Sequence, residues 1–193
     1  MVEGEWRFEV MSAFLLFNRW DDVLPAYRNT LVADLPAYHN LRWPHRSQDR
    51  AELLIGMCMD NRVALRVHDK FAYILRAGGA NLQRIEFKVS YAVAIVGVRA
   101  ICLIGHDLCG MVDLRGRRDL FGNGLVENGG WEHQEAEAHF EKSSAVFEIH
   151  DPAEFALSEA RRLRERHSRV TAALLLYQIR EGLLCQIAEG VRY

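Results

Sequence analysis

Five residues of the types that hold and assist a zinc ion fall into two short motifs. The first motif reads Cys58-x-Asp60-x-Arg62, and the second reads His106-x-x-Cys109. Two cysteine thiolates and one histidine imidazole are a common ligand set of zinc sites that keep a fourth position open for chemistry. We therefore predict that Cys58, His106 and Cys109 bind Zn²⁺.

Asp60 and Arg62 follow the first thiolate closely enough to act beside the metal. Arg62 can hold a carboxylate through a two-pronged, charge-assisted hydrogen bond. Held in this way, Asp60 would orient a zinc-bound hydroxide; released, it could bind zinc as a fourth ligand and close the site. Zinc with two thiolates is formally neutral and acidifies water less than a three-histidine site does, so we expect activity to rise toward alkaline pH.

Other residues that could do chemistry have a simpler interpretation. Lone cysteines inside apolar runs are usually buried as small hydrophobic residues, which is our interpretation of Cys102 and Cys185. His133 and His139 lie in a Glu-rich stretch that is typical of a solvated helix face. The glycines at 122–124 and 129–130 lack the Lys-Ser/Thr of a phosphate loop, so we expect flexible turns there.

Composition limits the class of protein. A chain of 193 residues, 50% of them hydrophobic, can bury one sizeable core, and we predict a single domain over residues 1–193. The net charge of −2 argues against a nucleic-acid surface. The apolar stretch at 10–17 is too short to span a membrane and lacks the pattern of a secretory leader. We therefore expect a cytoplasmic protein whose four cysteines are not paired in disulfides.

Apolar runs that alternate with helical patterns predict the elements that position the two motifs. Strands are expected at 51–57, 71–75 and 100–104, and helices at 82–97, 132–149 and 151–167. Cys58 and His106 would each follow a strand, and the carboxyl ends of neighbouring parallel strands meet at one edge of a sheet. Cys109 would then lie in the first turn of the next helix, where the helix dipole favours a thiolate.

The two ends of the chain complete the predicted fold. Residues 5–32 show helical spacing of apolar residues, so we predict an N-terminal helical arm over 1–50 that either covers the core or packs on a second subunit. The runs 170–177 and 183–188 predict a terminal hairpin. The expected fold class is α/β, with a mainly parallel central sheet flanked by helices and an antiparallel edge strand at the C-terminus.

Together the two motifs resemble those of the β-class carbonic anhydrases, over roughly residues 50–112. The resemblance implies zinc held by Cys58, His106 and Cys109, with Asp60 and Arg62 as an orienting and gating pair. It also implies reversible hydration of carbon dioxide to bicarbonate by a zinc-bound hydroxide. A homodimer or higher even oligomer is implied too, with the active sites at the subunit boundary.

The sequence departs from that family between its two motifs. The segment at 63–75 is short and lacks the glutamine that many members contribute to the substrate pocket. Arg76 is followed by Ala77-Gly78-Gly79 where most members have an asparagine and small residues; these glycines suggest that the backbone approaches the site closely. Two alternatives therefore stay open. One is a hydrolase of carbonyl sulfide or carbon disulfide on the same zinc, and the other is a non-catalytic zinc-binding sensor or interaction protein.

Overall fold

A six-stranded mixed sheet organises the chain, whose computed structural model describes residues 14–187. The order of the strands across the sheet is β1-β6-β5-β4-β2-β3. The pairs β3–β2, β2–β4 and β4–β5 are parallel, whereas β5–β6 and β6–β1 are antiparallel. The strands are β1 (Phe14–Leu16), β2 (Leu53–Met57), β3 (Ala72–Arg76), β4 (Ala100–His106), β5 (Thr171–Gln178) and β6 (Leu183–Ile187).

Helices cover both faces of this sheet. The α-helices are α1 (Leu31–His39), α2 (Glu86–Tyr91), α3 (Arg118–Gly129), α4 (His133–Phe147) and α5 (Pro152–Arg166). Short 3₁₀ turns occupy Trp20–Asp22, Gly78–Ala80, Gln83–Ile85 and Arg115–Arg117, and a π turn continues α2 over Ala92–Val96.

The central strands form two hydrophobic layers because their side chains alternate between the faces of the sheet. On β2, Leu53, Ile55 and Met57 face a layer completed by α1 and the segment before it, including Phe17 and Tyr38. Leu54 faces the opposite layer, which the segment 82–98 and α5 complete. Every residue of β2 and β4 is buried, as expected for parallel strands covered on both sides.

The predicted fold class is confirmed. The strand predictions are right to within a few residues, and β5 and β6 form the predicted antiparallel hairpin. The predicted helix at 151–167 is also right, because Asp151 accepts hydrogen bonds from the backbone of Ala153 and Glu154 as its N-cap and Pro152 follows in the first turn. The short strand β1, which the sequence did not predict, pairs with the outer edge of β6.

The prediction of a helix over 5–32 is wrong for the described part of that range. Residues 14–16 form β1, because the free edge of β6 offers backbone hydrogen bonds that outweigh a helical spacing of apolar side chains. Within the described residues, the first α-helix begins after Thr30, whose hydroxyl accepts from the amide of Val32. Residues 1–13 lie outside the described part of the chain. From Phe17 onward, the arm covers the core of its own chain.

Two further predictions need correction. The expected helix at 82–97 is divided into a 3₁₀ turn, α2 and a π turn, and it ends at Gly97 with a left-handed φ of 82°. The expected flexible turns at 122–124 and 129 are helical, because these glycines lie inside α3. Only Gly130, with a φ of 68°, acts as a turn residue by ending that helix.

Candidate metal centre

The two motifs meet at the carboxyl edge of the sheet because β2 and β4 are parallel neighbours. Met57 pairs with Ile104, so Cys58 directly after β2 lies beside His106 at the end of β4. His106 is the last residue of its strand rather than the first residue after it. The prediction that Cys109 lies in the first turn of a helix is wrong: it lies in a turn well before the helical residues that begin at Arg115.

The three predicted ligands converge on one point. One ligand atom from each of Cys58, His106 and Cys109 lies within 4.8 Å of the others, and the two Sγ atoms are 4.0 Å apart. Tetrahedral zinc with Zn–S bonds of about 2.3 Å would separate two sulfurs by about 3.8 Å. All three residues are buried, and they form the one such group of His, Cys and acidic residues within 14–187.

His106 presents an imidazole nitrogen that is ready to bind a metal. Its Nδ1–H donates to the carbonyl oxygen of Asp107 at 2.7 Å, which leaves the lone pair on Nε2. Nε2 is buried and has no hydrogen-bond partner among the residues described. A buried nitrogen without a partner is costly unless a ligand occupies it, and a ligating histidine usually donates its other N–H in this way. The residues present therefore fit a zinc ion.

The electrostatics of the two sulfurs also favour a cation. The pKa of Cys58 is lowered to about 4, chiefly because the thiol of Cys109 donates a hydrogen bond to its sulfur. The hydrogen bond from the amide of Gly79 acts in the same direction. The pKa of Cys109 is raised, because its proton is held in that same bond and the site is buried. The metal-free pair thus shares one proton, which a bound cation would replace.

Asp60 and Arg62 form the predicted two-pronged pair beside these ligands. Nε of Arg62 donates to Oδ1 of Asp60 at 3.0 Å, and Nη2 donates to Oδ2 at 2.6 Å. The amide of Arg62 donates to the same Oδ1 at 2.9 Å. The pKa of Asp60 is lowered to about 2, chiefly by the hydrogen bond from Arg62, so the carboxylate is charged. Nη2 also donates to the carbonyl oxygen of Leu108, between the second and third ligands.

A cleft of about 350 Å³ opens onto this edge of the sheet. Cys58 and Asp60 line it together with Met59, Asn61, Gly110 and Met111. Sequence reasoning did not select Met59, Asn61 or Met111, although each is within three residues of a predicted ligand. The available signal was their position within the first motif or shortly after the second. Chain neighbours of a ligand at the end of a strand border the same opening.

Comparison with solved structures identifies the architecture. A β-carbonic anhydrase from the protozoan Trichomonas vaginalis superposes with a TM-score of 0.59 at 20% identity, over 81% of this chain and 94% of that one. A carbonic anhydrase from Glaciozyma antarctica superposes with a TM-score of 0.58 at 23% identity, over 86% of this chain and 100% of that one. The chain has the β-carbonic anhydrase fold. No protein-family model matches the sequence, and the comparison with curated proteins gives no match.

A second activity occurs on the same architecture. The apo form of a carbon disulfide hydrolase superposes with a TM-score of 0.54 at 17% identity, over 82% of this chain and 87% of that one. At identities this low the likeness establishes the β-carbonic anhydrase fold rather than a particular substrate.

Within this β-carbonic anhydrase fold, the two glycines after Arg76 approach the site as the sequence suggested. The amide of Gly79 lies 3.4 Å from the sulfur of Cys58 and donates to it. Gly79 has a left-handed φ of 62°, and a Cβ added there would lie 3.1 Å from Ile149. A Cβ at Gly78 would lie 2.9 Å from the sulfur of Met111. Side chains at these positions would push the turn away from Cys58.

The remaining candidate residues lie away from the centre. Cys102 and Cys185 are buried among apolar side chains, and burial raises the pKa of Cys185 to about 12. His133 is exposed at the start of α4, and His139 packs against Phe121 and Trp131. Between residues 14 and 187, no helix has the length and apolar character needed to cross a membrane.

Proposed function

We propose that this chain is a zinc lyase that reversibly hydrates carbon dioxide to bicarbonate. The observation that carries the proposal is the convergence of Cys58, His106 and Cys109, whose ligand atoms lie within 4.8 Å of one another. The Nε2 atom of His106 is buried without a partner, and a charged aspartate–arginine pair lies beside the group. The β-carbonic anhydrase fold supports it, since solved proteins with this architecture are named for that activity.

Each residue has a defined task in this proposal. Cys58, His106 and Cys109 would hold zinc, which when bound supplies the Lewis acid that makes water a nucleophile near neutral pH. Asp60 would accept a hydrogen bond from a donor beside the metal, and its low pKa keeps the carboxylate an acceptor throughout the neutral range. Arg62 fixes the direction of that carboxylate. Met59 and Met111 give the cleft the apolar lining that suits a nonpolar triatomic substrate.

The second candidate function is hydrolysis of carbonyl sulfide or carbon disulfide at the same centre. The carbon disulfide hydrolase among the similar structures favours it, as does the thioether lining of the cleft, because soft sulfur atoms contact each other favourably. A non-catalytic zinc-binding protein is the third candidate. The hydrogen bonds that hold Asp60 away from a ligand role argue against it.

We also propose a homodimer or higher even oligomer in the cytoplasm, with no membrane or nucleic-acid partner. Three apolar side chains recur one helical turn apart on the segment 86–96 and are exposed: Phe87, Tyr91 and Ile95. A ridge of this kind is typical of a surface that another subunit covers. Packing of the N-terminal arm on that subunit stays a prediction. Light scattering would test it by comparing the molar mass of the purified chain with that of a variant that lacks residues 1–13.

The deciding experiment is stopped-flow hydration of carbon dioxide across pH on the zinc-loaded protein, with bound zinc quantified in the same samples. Hydration that rises toward alkaline pH supports the lyase. Sulfide release from carbonyl sulfide without hydration of carbon dioxide would favour the hydrolase. Stoichiometric zinc with neither activity would favour the non-catalytic protein, and absence of zinc binding would overturn all three.

A further inference from the structure

Arg76 reaches from the edge of the sheet into the loop that carries the first metal ligand. It is the last residue of β3, paired with Met57 at the end of β2. One more backbone hydrogen bond, from the amide of Ala77 to the carbonyl of Met57, closes the ladder between these strands. Beyond that bond the chain after β2 turns away, so the carbonyls that follow have no strand to pair with.

The guanidinium of Arg76 donates to three of these carbonyls. Nη1 donates to the carbonyl oxygen of Cys58 at 3.0 Å and to that of Asp60 at 3.2 Å, and Nη2 donates to that of Val63 at 2.9 Å. These three carbonyls span the whole first motif. A planar guanidinium with donors on separate nitrogens can hold several acceptors at fixed angles, which a lysine ammonium cannot do.

The segment 76–79 therefore holds Cys58 at two points. Arg76 binds its carbonyl oxygen, and the amide of Gly79 binds its sulfur. We propose that Arg76 is a positioning residue that fixes the Cys58 sulfur and the backbone of Asp60 in the geometry the metal needs. The proposal rests on the proposed zinc site and extends it to a residue outside both motifs. Arg76 does not itself line the cleft, and these hydrogen bonds go to backbone carbonyls rather than to ligand atoms.

The test compares Arg76→Met and Arg76→Lys with Arg84→Met, which removes an exposed arginine on a neighbouring turn. Two properties are measured at one fixed pH: the rate at which a thiol-alkylating reagent labels each cysteine of the metal-free protein, and the Zn²⁺ affinity by competition with a chelator. Loss of an outer partner of a ligand typically weakens metal binding about 10- to 100-fold.

We expect both Arg76 variants to label faster at Cys58 and to bind Zn²⁺ at least about 10-fold more weakly, with Cys102, Cys185 and the Arg84→Met protein unchanged. Full recovery in Arg76→Lys would show that charge alone matters and would overturn the proposal. Equally faster labelling of Cys102 and Cys185 would indicate general loosening of the fold and would also overturn the proposal. Unchanged labelling of Cys58 would overturn it as well. If the wild-type protein binds no Zn²⁺, the proposed function fails, whereas the labelling of Cys58 still decides the role of Arg76.

Discussion

Nη2 of Arg62 donates to the carbonyl oxygen of Leu108 at 2.9 Å, so the arginine that holds Asp60 also holds the loop between His106 and Cys109. Leu108 has a left-handed φ of 52°, a conformation that costs a residue with a side chain about 1 kcal/mol. The hydrogen bond from Arg62 offsets part of that cost. One guanidinium thus couples the two halves of the metal centre, which come from different strands.

Replacing Arg62 with alanine should separate activity from metal binding. We expect carbon dioxide hydration to fall about 100-fold, because Asp60 loses its direction. Zinc affinity should be maintained or rise, because the released carboxylate can reach the ion as a fourth ligand and thereby offset the lost hydrogen bond to Leu108. Hydration kinetics and chelator competition measure the two effects.

The double variant Asp60→Asn/Arg62→Ala is the control, since its amide cannot bind zinc as a carboxylate does. It should lose any affinity that Arg62→Ala gained. Zinc affinity that falls in parallel with activity in the single variant would contradict this account of Asp60.

Asp60→Asn alone should leave the fold and the zinc content intact while reducing hydration by about 10²- to 10⁴-fold, the usual range for loss of a positioned proton acceptor. The amide has nearly the shape of the carboxylate, but it carries no charge for Arg62 to hold. Asp49→Asn, at an exposed aspartate away from the cleft, is the matched control. Wild-type hydration by Asp60→Asn would remove this residue from the mechanism.

His39 should make the protein less stable as the pH falls below neutrality. Its Nε2–H donates to the carbonyl of Gly182 at 3.0 Å, and its Nδ1 accepts from the amide of Arg66 at 2.9 Å, so the ring is neutral. Burial, with Arg42 and Arg66 nearby, lowers its pKa below the ordinary value of 6.5. The unfolded chain therefore binds this proton first, and the free energy of unfolding decreases as pH falls through about 6.5.

Urea unfolding at pH 8 and pH 5.5 measures this effect. His39→Gln should lower the free energy of unfolding at pH 8 by about 1–2 kcal/mol, because it disturbs two hydrogen bonds. The same variant should show a smaller decrease between the two pH values than the wild type. His133→Gln, at an exposed histidine, should keep the wild-type difference. An equal difference in the His39 variant would refute the linkage.

Two glycine-to-alanine changes should have opposite effects on stability. Gly79→Ala forces a side chain into a left-handed turn against Ile149, and should lower the free energy of unfolding by about 1–2 kcal/mol. Gly124 lies inside α3, where an added Cβ would meet Asn128 at an ordinary contact distance of 3.9 Å. Gly124→Ala should therefore raise the free energy of unfolding by about 0.5–1 kcal/mol. The denaturant midpoints of the two variants and of the wild type measure both changes in stability. A stabilised Gly79→Ala protein would rule out the tight turn beside Cys58.

The convergence of the three candidate metal ligands could be predicted because apolar runs mark where β2 and β4 end, and parallel neighbours bring those ends together. The helix at 151–167 was equally predictable, since Asp151-Pro152 is a local start signal. The strand at Phe14–Leu16 was not, because its conformation depends on β6, which lies far away in the sequence. Arg76 gave no signal either, since its three acceptors belong to a loop that only the paired strands place within its reach.

The separation of the ligands along the chain determines when the centre can form. Cys58 and Cys109 are 51 residues apart, and β3 and the helical segment 83–96 lie between them. A nascent chain that has released only its first half contains Cys58 but neither His106 nor Cys109. Parallel strand pairing over this distance is a late, non-local event. In the proposed function, zinc would therefore enter after the strands have paired, so that its supply rather than the speed of translation would limit formation of the centre.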